Sequence, residues 1–307
     1  MALSASALRD RAPRTAGTPL RPSGNLRRRM ALSRALEAVA TAAALFAVAL
    51  LIDVAVTVIT NGAPAISFAF LTQSANGLSG GGIANALLGT VVMVVFGAAI
   101  AIPVGILVGL FLTEVAGPRS RLAHLLEVVL DMLQGVPTVV VGIVVFGLIV
   151  VPQQKETGFA GAIALSIIML PLIARASQQV LAVVPPSFRQ AADALGVERW
   201  RTVIGVILPA AAGGILTGAI LAVARAAGET APLLLVDSLY HPNAIQLQPF
   251  GNGVPSVPMF IYTTYDLPSV SGITLAWGAA LVLLTGILVA NVGARLMLSR
   301  TRRRMGL

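Results

Sequence analysis

The sequence of 307 residues contains no cysteine, two histidines and one lysine, and only 11% of its residues are charged. Without cysteine there is no disulfide framework, no thiolate nucleophile and no cysteine-based metal site. His124 and His241 lie far apart in the sequence, which argues against a histidine-based metal site. Soluble domains carry roughly 25% charged residues. The shortage of charge therefore excludes an ordinary soluble fold.

Apolar residues dominate the composition: 57% of the chain is hydrophobic and the mean hydropathy is +0.90. A helix that crosses a bilayer needs about 20 consecutive, mostly apolar residues. Six segments meet this requirement and predict an all-α, polytopic membrane protein with about six transmembrane helices. They run approximately over 35–60, 83–112, 125–150, 159–183, 213–237 and 273–297.

Arginine accounts for 20 of the 21 basic residues, and its distribution indicates an orientation. Arginines cluster in the tail before the first span, in the loops near 113–124 and 184–212, and at the C-terminal end. With six spans these four regions share one side, which the positive-inside rule assigns to the cytoplasm. Lys155 is the only basic residue on the opposite side. The pattern predicts cytoplasmic termini and a lipid bilayer, not nucleic acid, as the surroundings of the chain.

The two tails differ from the apolar region between them. Residues 1–34 are rich in Arg, Pro, Ser and Gly, and we interpret them as a disordered cytoplasmic tail. Residues 300–307 form a short second cytoplasmic tail. The stretches 61–82 and 238–272 are predicted to lie on the external side.

The loop 185–209, between the fourth and fifth predicted spans, has the pattern of an ordered elbow. Ser187 follows two prolines and is a candidate N-cap. Gly196 is placed to end a first short helix in a left-handed conformation, and a second helix is predicted from near Val197 to Pro209. One face of the first helix carries Phe188, Ala191, Ala192 and Leu195. An amphipathic elbow favours a docking surface for a partner, the alternative being an interfacial helix without one.

This elbow resembles the EAA loop of the permease subunits of ABC importers. Ala191, Ala192, Gly196, Leu208 and Pro209 match that pattern at the expected spacing. The differences are glutamine in place of the glutamate and Val206 in place of the isoleucine. The resemblance implies that residues 35–299 form a type I, MetI-like ABC transmembrane domain. It also implies ATPase coupling through Gln190, Ala191, Ala192, Leu195, Gly196, Leu208 and Pro209.

Three further segments are similar to the phosphate-specific, PstA-type branch of this family: Gly80–Thr90, Gly135–Gly142 and Ala224–Leu234. This resemblance implies a permease subunit, not an enzyme, in the plasma membrane. It implies a homologous PstC-type permease subunit, a PstB-type ATPase dimer and a PstS-type external phosphate-binding protein as partners. It implies no cofactor bound by this chain, with ATP and Mg used by the ATPase.

Charged residues inside predicted spans are candidates for the path of phosphate: Arg175, Arg225 and Glu229. A charge within a span costs about 2.5–3.5 kcal/mol on insertion scales, and arginine presents donors suited to an oxyanion. Arg225 and Glu229 are four residues apart, so we predict that they share a helix face near the middle of the fifth span. Two alternatives stay open: an intrahelical pair that only lowers the cost of burial, and an Arg175 that reaches the headgroups.

Other functions remain as alternatives. Permeases for sulfate, molybdate or phosphonate share the elbow. A membrane-embedded enzyme needs a nucleophile with a base or a metal site, and a proton-coupled carrier usually shows internal repeats. Leu78–Gly82 is similar to the signature motif of ABC ATPases, but the sequence contains no phosphate-binding loop of the Gly-x-x-x-x-Gly-Lys type. ATP hydrolysis by this chain is therefore not expected.

Overall fold

The computed structural model describes residues 25–74, 81–117, 120–236, 254–266 and 270–304. The regular elements in these ranges are helices, as the composition predicts, and no strand occurs among the described residues. In chain order they are α1 Asn25–Gly62, α2 Phe68–Thr72, α3 Ala84–Leu110, α4 Arg121–Gly135, α5 Thr138–Val145, α6 Val151–Gln153, α7 Gly158–Val183, α8 Pro186–Ala194, α9 Arg199–Thr202, α10 Leu208–Ala227, α11 Leu233–Val236, α12 Val257–Tyr265 and α13 Val270–Arg304.

Five of these helical segments are long and apolar enough to cross a membrane, and a bent pair can serve as a sixth. The bent pair replaces the third span, which the sequence analysis predicts as one helix over 125–150. Its two parts, Arg121–Gly135 and Thr138–Gln153, meet at 103°. A single helix over 125–150 does not form, because Pro137 disfavours helical geometry at the residue before it. Val136 is accordingly extended, with φ −70° and ψ 129°.

The chain divides into two compact units, Met1–Val56 and Thr57–Leu307. In the first unit, the described residues belong to α1, whose apolar side chains are mostly exposed on all sides. A helix that is hydrophobic all round is typical of a membrane span. Residues 25–34 of the predicted disordered tail belong to helix α1. Residues 1–24 of that tail lie outside the described residues, as do 305–307 and most of the external stretch 238–272.

The core of the second unit is built around α7, against which α3 and α10 pack. Small residues allow the close approach. A Cβ atom added to Gly105 would lie 2.8 Å from Ile173 Cγ2, and one added to Gly109 would lie 2.7 Å from Ser177 Cβ. On α10, Gly214 faces Val180 and Gly218 faces Ala176 in the same way. The four-residue spacing of Gly105 and Gly109, and of Gly214 and Gly218, predicts such helix contacts, because small residues let membrane helices pack closely. The structure confirms this prediction.

Wide π-helical turns occur at three places: at the end of α3 (Phe111–Val115), between α5 and α6 (Phe146–Val150) and between α9 and α10 (Val203–Ile207). The third joins α9 to α10, so that one helical segment runs from Arg199 to Ala227. The predictions that an elbow helix ends at Pro209 and that the fifth span covers 213–237 are therefore wrong. The Leu208 N–H donates to the Val203 carbonyl, five residues back. This wide turn directly precedes Pro209, which has no N–H to offer, and the helix continues through it.

Candidate functional site

A small polar cavity lies halfway along α7, with a volume of about 80 Å³. Three elements surround it: the junction of α4 and α5, the middle of α7, and the last turn of α10. Its lining consists of Leu133, Gln134, Val136, Thr138, Val141, Ile167, Ile168, Pro171, Leu172 and Arg225. Arg225 supplies the only charge in this lining. The prediction that Arg225 lies near the middle of the fifth span is wrong, because Arg225 lies in the last turn of α10. Its side chain lines the cavity that lies beside the middle of α7.

Glu229 faces Arg225 from outside the helix. Helix α10 ends at Ala227, and the Gly228 and Glu229 N–H groups donate to the carbonyls of Arg225 and Ala226, each at 3.1 Å. The prediction that Arg225 and Glu229 share a helix face is therefore wrong, since the helix ends between them. The two side chains nevertheless form an ion pair, with 3.8 Å between Arg225 Nε and Glu229 Oε1. At this distance the carboxylate attracts the guanidinium but forms no hydrogen bond with it.

Two of the three phosphate-permease-like segments meet at this cavity. Gly135–Gly142 contains the break between α4 and α5, and Ala224–Leu234 contains Arg225 and the break after α10. A Cβ atom on Gly142 would lie 2.8 Å from Pro232 Cα, so the two segments are in close backbone contact. Sequence reasoning singled out both segments but not the cavity residues Gln134 and Thr138. Their signal was the Gly-Val-Pro interruption between them.

The third segment, Gly80–Thr90, packs elsewhere. Thr90 Oγ1 accepts a hydrogen bond of 2.8 Å from the Val257 N–H, and Gly89 lies against Val254 and Pro255. It therefore fixes α3 to the start of α12 and does not reach the Arg225 cavity. Gly80, together with Leu78 and Ser79 of the signature-like stretch, lies outside the described residues.

Arg175 lies nearer the end of α7 and is held by several partners. It forms an ion pair with Asp131 and donates to Gln178 Oε1 at 2.8 Å and to the Glu127 carbonyl at 3.0 Å. Gln178 in turn donates to Glu127 Oε1 at 3.0 Å. These bonds join α7 to α4. Arg175 does not line the Arg225 cavity.

The predicted elbow is present between α7 and α10. Its first helix, α8, begins at Pro186, so Ser187 lies in the first turn and the prediction of Ser187 as the N-cap is wrong. Gly196 ends the helix region with φ +67°, which confirms its predicted left-handed conformation. The Val197 N–H donates to the Ala192 carbonyl at 3.0 Å and closes the turn.

The predicted apolar face of the elbow is largely uncovered. Ala192 is buried, whereas Leu195 is 80% exposed and Phe188 is 46% exposed. Other predicted coupling residues are also accessible or partly so: Gln190, Ala191, Leu208 and Pro209. An apolar elbow face that the chain itself does not cover is available to a partner.

One ion pair of the elbow was missed from the sequence. Glu114 is 2% exposed, and both its oxygens accept hydrogen bonds from Arg189 Nε, at 3.1 and 3.2 Å, while Oε1 also accepts one from Nη2 at 2.5 Å. The hydrogen bonds from Arg189 to the Glu114 carboxylate raise the pKa of the guanidinium above its ordinary value. Stability from a raised pKa is lost only as the pH rises through it, so the guanidinium stays charged throughout the physiological range. A single acid at the end of an apolar run was the available signal.

Long apolar helices, an interrupted helix beside a small cavity and an exposed elbow are features expected of a multi-pass membrane subunit of a transport system. Residues 101–303 match the family described as binding-protein-dependent transport system inner membrane component. The chain belongs to this family. The match confirms the prediction of a transport permease subunit, not an enzyme, that takes part in an ABC transporter assembly.

Curated relatives narrow the resemblance. The chain is 36% identical over 226 residues to "Phosphate transport system permease protein PstA 1" of Mycobacterium tuberculosis (strain CDC 1551 / Oshkosh), covering 73% of each protein. It is 33% identical over 260 residues to the PstA of Yersinia pestis, covering 84% of this chain and 87% of that protein. It is 35% identical over 281 residues to the PstA of Xylella fastidiosa (strain Temecula1 / ATCC 700964), covering 90% and 96%. The predicted PstA-type resemblance is confirmed.

Solved structures agree on the fold. A chain of the MetNI methionine ABC transporter in an inward-facing conformation aligns with a TM-score of 0.55 at 17% identity, covering 71% of this chain and 93% of that one. At this identity the likeness concerns the fold alone, and it confirms the predicted MetI-like permease architecture.

Proposed function

We propose that this chain is a permease subunit of an ATP-driven phosphate importer and forms half of the translocation path. We further propose that phosphate passes through the Arg225 cavity. The observation that carries the proposal is the position of Arg225: one charged side chain in a cavity halfway along α7, beside two helix breaks. The relatives named phosphate permeases support this cargo. Transporters place interrupted helices at their substrate sites.

The chemistry of the cavity suits an oxyanion. Arg225 offers guanidinium donors that stay charged at every physiological pH, and Gln134 and Thr138 add an amide and a hydroxyl. Helix α5 begins at Thr138, and the first N–H groups of a helix carry a partial positive charge. These groups together can hold a phosphate that has left its water shell.

Glu229 supplies the means of release. Its carboxylate is 16% exposed and lies 3.8 Å from the Arg225 guanidinium, too far for a hydrogen bond but close enough to attract it. A phosphate at Arg225 competes with this carboxylate. The competition keeps phosphate binding weak enough for passage, which a site on a transport path requires.

Arg175 remains a predicted member of the path on the side nearer the elbow. Because Arg175 also joins α7 to α4, its replacement is expected to loosen that contact as well. An uptake defect at Arg175 is therefore less specific evidence than one at Arg225.

The assembly we propose contains a PstC-type permease as the second half, a PstB-type ATPase dimer that uses ATP and Mg, and a PstS-type external phosphate-binding protein. The chain lies in the plasma membrane with both termini in the cytoplasm, in line with the arginine distribution. The elbow then docks the ATPase through Gln190, Ala191, Ala192, Leu195 and Gly196. Leu208 and Pro209 continue this connection into the fifth span.

Radiolabelled phosphate uptake tests the cargo and the cavity together. Cells with and without this gene are compared, with sulfate and molybdate as competitors. We expect Arg225→Gln to reduce uptake at least 100-fold at normal membrane levels, and Arg225→Lys to retain part of it. The matched control is Arg295→Gln, since Arg295 is exposed on α13 and belongs neither to the elbow nor to the cavity.

Two results would reject parts of this proposal. Normal uptake by a correctly inserted Arg225→Gln variant removes Arg225 from the path. Wild-type uptake that sulfate or molybdate blocks assigns the permease to another oxyanion.

The docking role of the elbow has its own test. Leu195→Asp places a charge on the exposed apolar face, so we expect ATPase activity to be uncoupled from phosphate transport. Uptake and ATPase co-purification equal to wild type in this variant would count against docking at this face.

A further inference from the structure

Arg189 connects three elements through one side chain. It lies on α8 and holds Glu114 in the π turn that follows α3. Its Nη1 donates to the Val184 carbonyl at 2.9 Å and its Nη2 to the Leu181 carbonyl at 3.3 Å, at the end of α7. Helix α8 is thus bonded to the end of α3, which is distant in sequence, and to the end of α7, which precedes α8 in the chain.

Little else holds α8 in place. Ala192 is the only buried residue within α8, and Phe188 on the predicted apolar face is exposed. The helix is flanked by Pro185 and by Gly196, whose positive φ marks a turn. Apolar burial is the main force that fixes a helix, and here it is small. The bonds of Arg189 are therefore the principal lateral attachment of α8 among the described residues.

We propose that Arg189 and Glu114 are positioning residues that transmit the displacement of α8 to α3 and α7 when the ATPase moves the elbow. This inference rests on the proposed docking of an ATPase at the elbow. It adds a route to α3 through Glu114, beside the covalent connections of α8 to α7 through Val184 and Pro185 and to α10 through α9.

The geometry suits transmission. The guanidinium is a planar fork with fixed donor directions, and both oxygens of Glu114 are bonded to it. Glu114 is almost fully buried, so water does not compete for the bonds. The receiving helix α7 contributes Pro171 to the Arg225 cavity. A displacement that enters α7 at Leu181, in its last turn, therefore reaches the cavity through the same helix.

The first experiment measures phosphate transported per ATP hydrolysed by the complete complex in proteoliposomes, so that a smaller amount of assembled complex does not change the result. We expect Arg189→Gln to lower this ratio at least tenfold while ATP hydrolysis persists. Arg189→Lys, which keeps the charge but not the fork, should recover part of the ratio. Arg295→Gln, at an exposed position of α13 outside the elbow, is the matched control and should leave the ratio unchanged. An unchanged ratio in Arg189→Gln overturns the proposal.

The second experiment does not depend on the cargo. The chain contains no cysteine, so cysteines introduced at Ala194 on α8 and Leu107 on α3 can carry a pair of spin labels. Both positions are exposed. In the complete complex, with the other subunits free of reactive cysteine, we expect a narrow distance distribution before and after ATP trapping. Arg189→Gln should broaden it. Equal widths in the two proteins would falsify the attachment.

The two experiments separate the failure of this inference from the failure of the proposed function. A wild-type complex that transports no phosphate rejects the cargo, while the spin-label widths still decide whether Arg189 fixes α8. Normal wild-type transport with an intact ratio and equal label widths in Arg189→Gln rejects the attachment alone.

Discussion

Two of the arginine–glutamate pairs among the described residues have the same chemistry and opposite geometry. At the elbow, Arg189 makes five hydrogen bonds, to both oxygens of Glu114 and to two backbone carbonyls. At the cavity, Arg225 lies 3.8 Å from Glu229 and keeps 62% of its side chain exposed. The donors of Arg189 are occupied, whereas Arg225 can still bind an anion. An arginine in a membrane protein thus either holds structural elements together or remains able to bind a ligand, depending on how many of its donors the fold satisfies.

The largest expected effect separates the two glutamates by stability. Glu114→Ala removes the buried carboxylate that accepts three hydrogen bonds from the charged Arg189, so it should lower the free energy of unfolding by about 3 kcal/mol. Glu229→Ala should change it by less than about 1 kcal/mol, as for a loose and partly solvated pair. Thermal unfolding of the purified protein in detergent measures both. Equal shifts in the two variants would remove the distinction drawn above.

A backbone contact offers a way to disturb only the cavity pair. A Cβ atom on Gly142 would lie 2.8 Å from Pro232 Cα and 2.9 Å from Pro232 O. Gly142→Ala should therefore destabilise the protein by about 2 kcal/mol through overpacking and lower phosphate uptake, because it displaces the segment that carries Glu229. The matched control is Gly147→Ala, since nothing lies within 4 Å of a Cβ there. Uptake and unfolding temperature together decide, and identical behaviour of the two variants contradicts the prediction.

A substitution at Glu229 that keeps the shape of the side chain tests whether its charge competes with phosphate for Arg225. Glu229→Gln removes the competing negative charge, so phosphate should bind about fivefold more tightly, for a pair worth about 1 kcal/mol, and transport turnover should fall. Isothermal titration of phosphate into the purified complex measures the affinity. Glu156→Gln, at an exposed carboxylate, serves as control. Weaker or unaltered phosphate binding in Glu229→Gln would show that Glu229 does not compete.

The smallest effect concerns the neutral donors around Arg225. Gln134→Ala removes one amide from the cavity and should raise the KM for phosphate roughly twofold, for a net hydrogen bond of about 0.5 kcal/mol. Transport kinetics measure the change, with the exposed Gln153→Ala as control. A KM that stays at the wild-type value places phosphate away from the junction of α4 and α5.

Local patterns were sufficient for much of the fold. Apolar runs predicted the membrane helices, Gly196 predicted the end of the elbow helix, and glycine spacing predicted the contacts of α3 and α10 with α7. Each of these features depends on residues close together in sequence, where steric rules and helical periodicity apply directly.

Features that join distant residues were not accessible in this way. Glu114 and Arg189 are 75 positions apart, and a single sequence contains no sign that the two meet. Pro137 and Gly228 mark the two helix breaks locally, but neither the 103° angle of the first break nor the contact between the two segments can be read from one sequence. The candidate cavity was therefore predicted through Arg225, while its neutral members emerge only once the helices are packed.

The π turn at Val203–Ile207 sets the angular phase between the elbow and the fifth span. Each residue of a helix turns the chain by about 100°, and a π turn accommodates one residue more than an α turn. Deleting one residue there would restore an ordinary helix and rotate everything before it by about a quarter turn relative to α10. The span would keep its length and its apolar face, but the elbow would present a different side. The extra residue of the π turn thus sets the direction in which the elbow faces its partner.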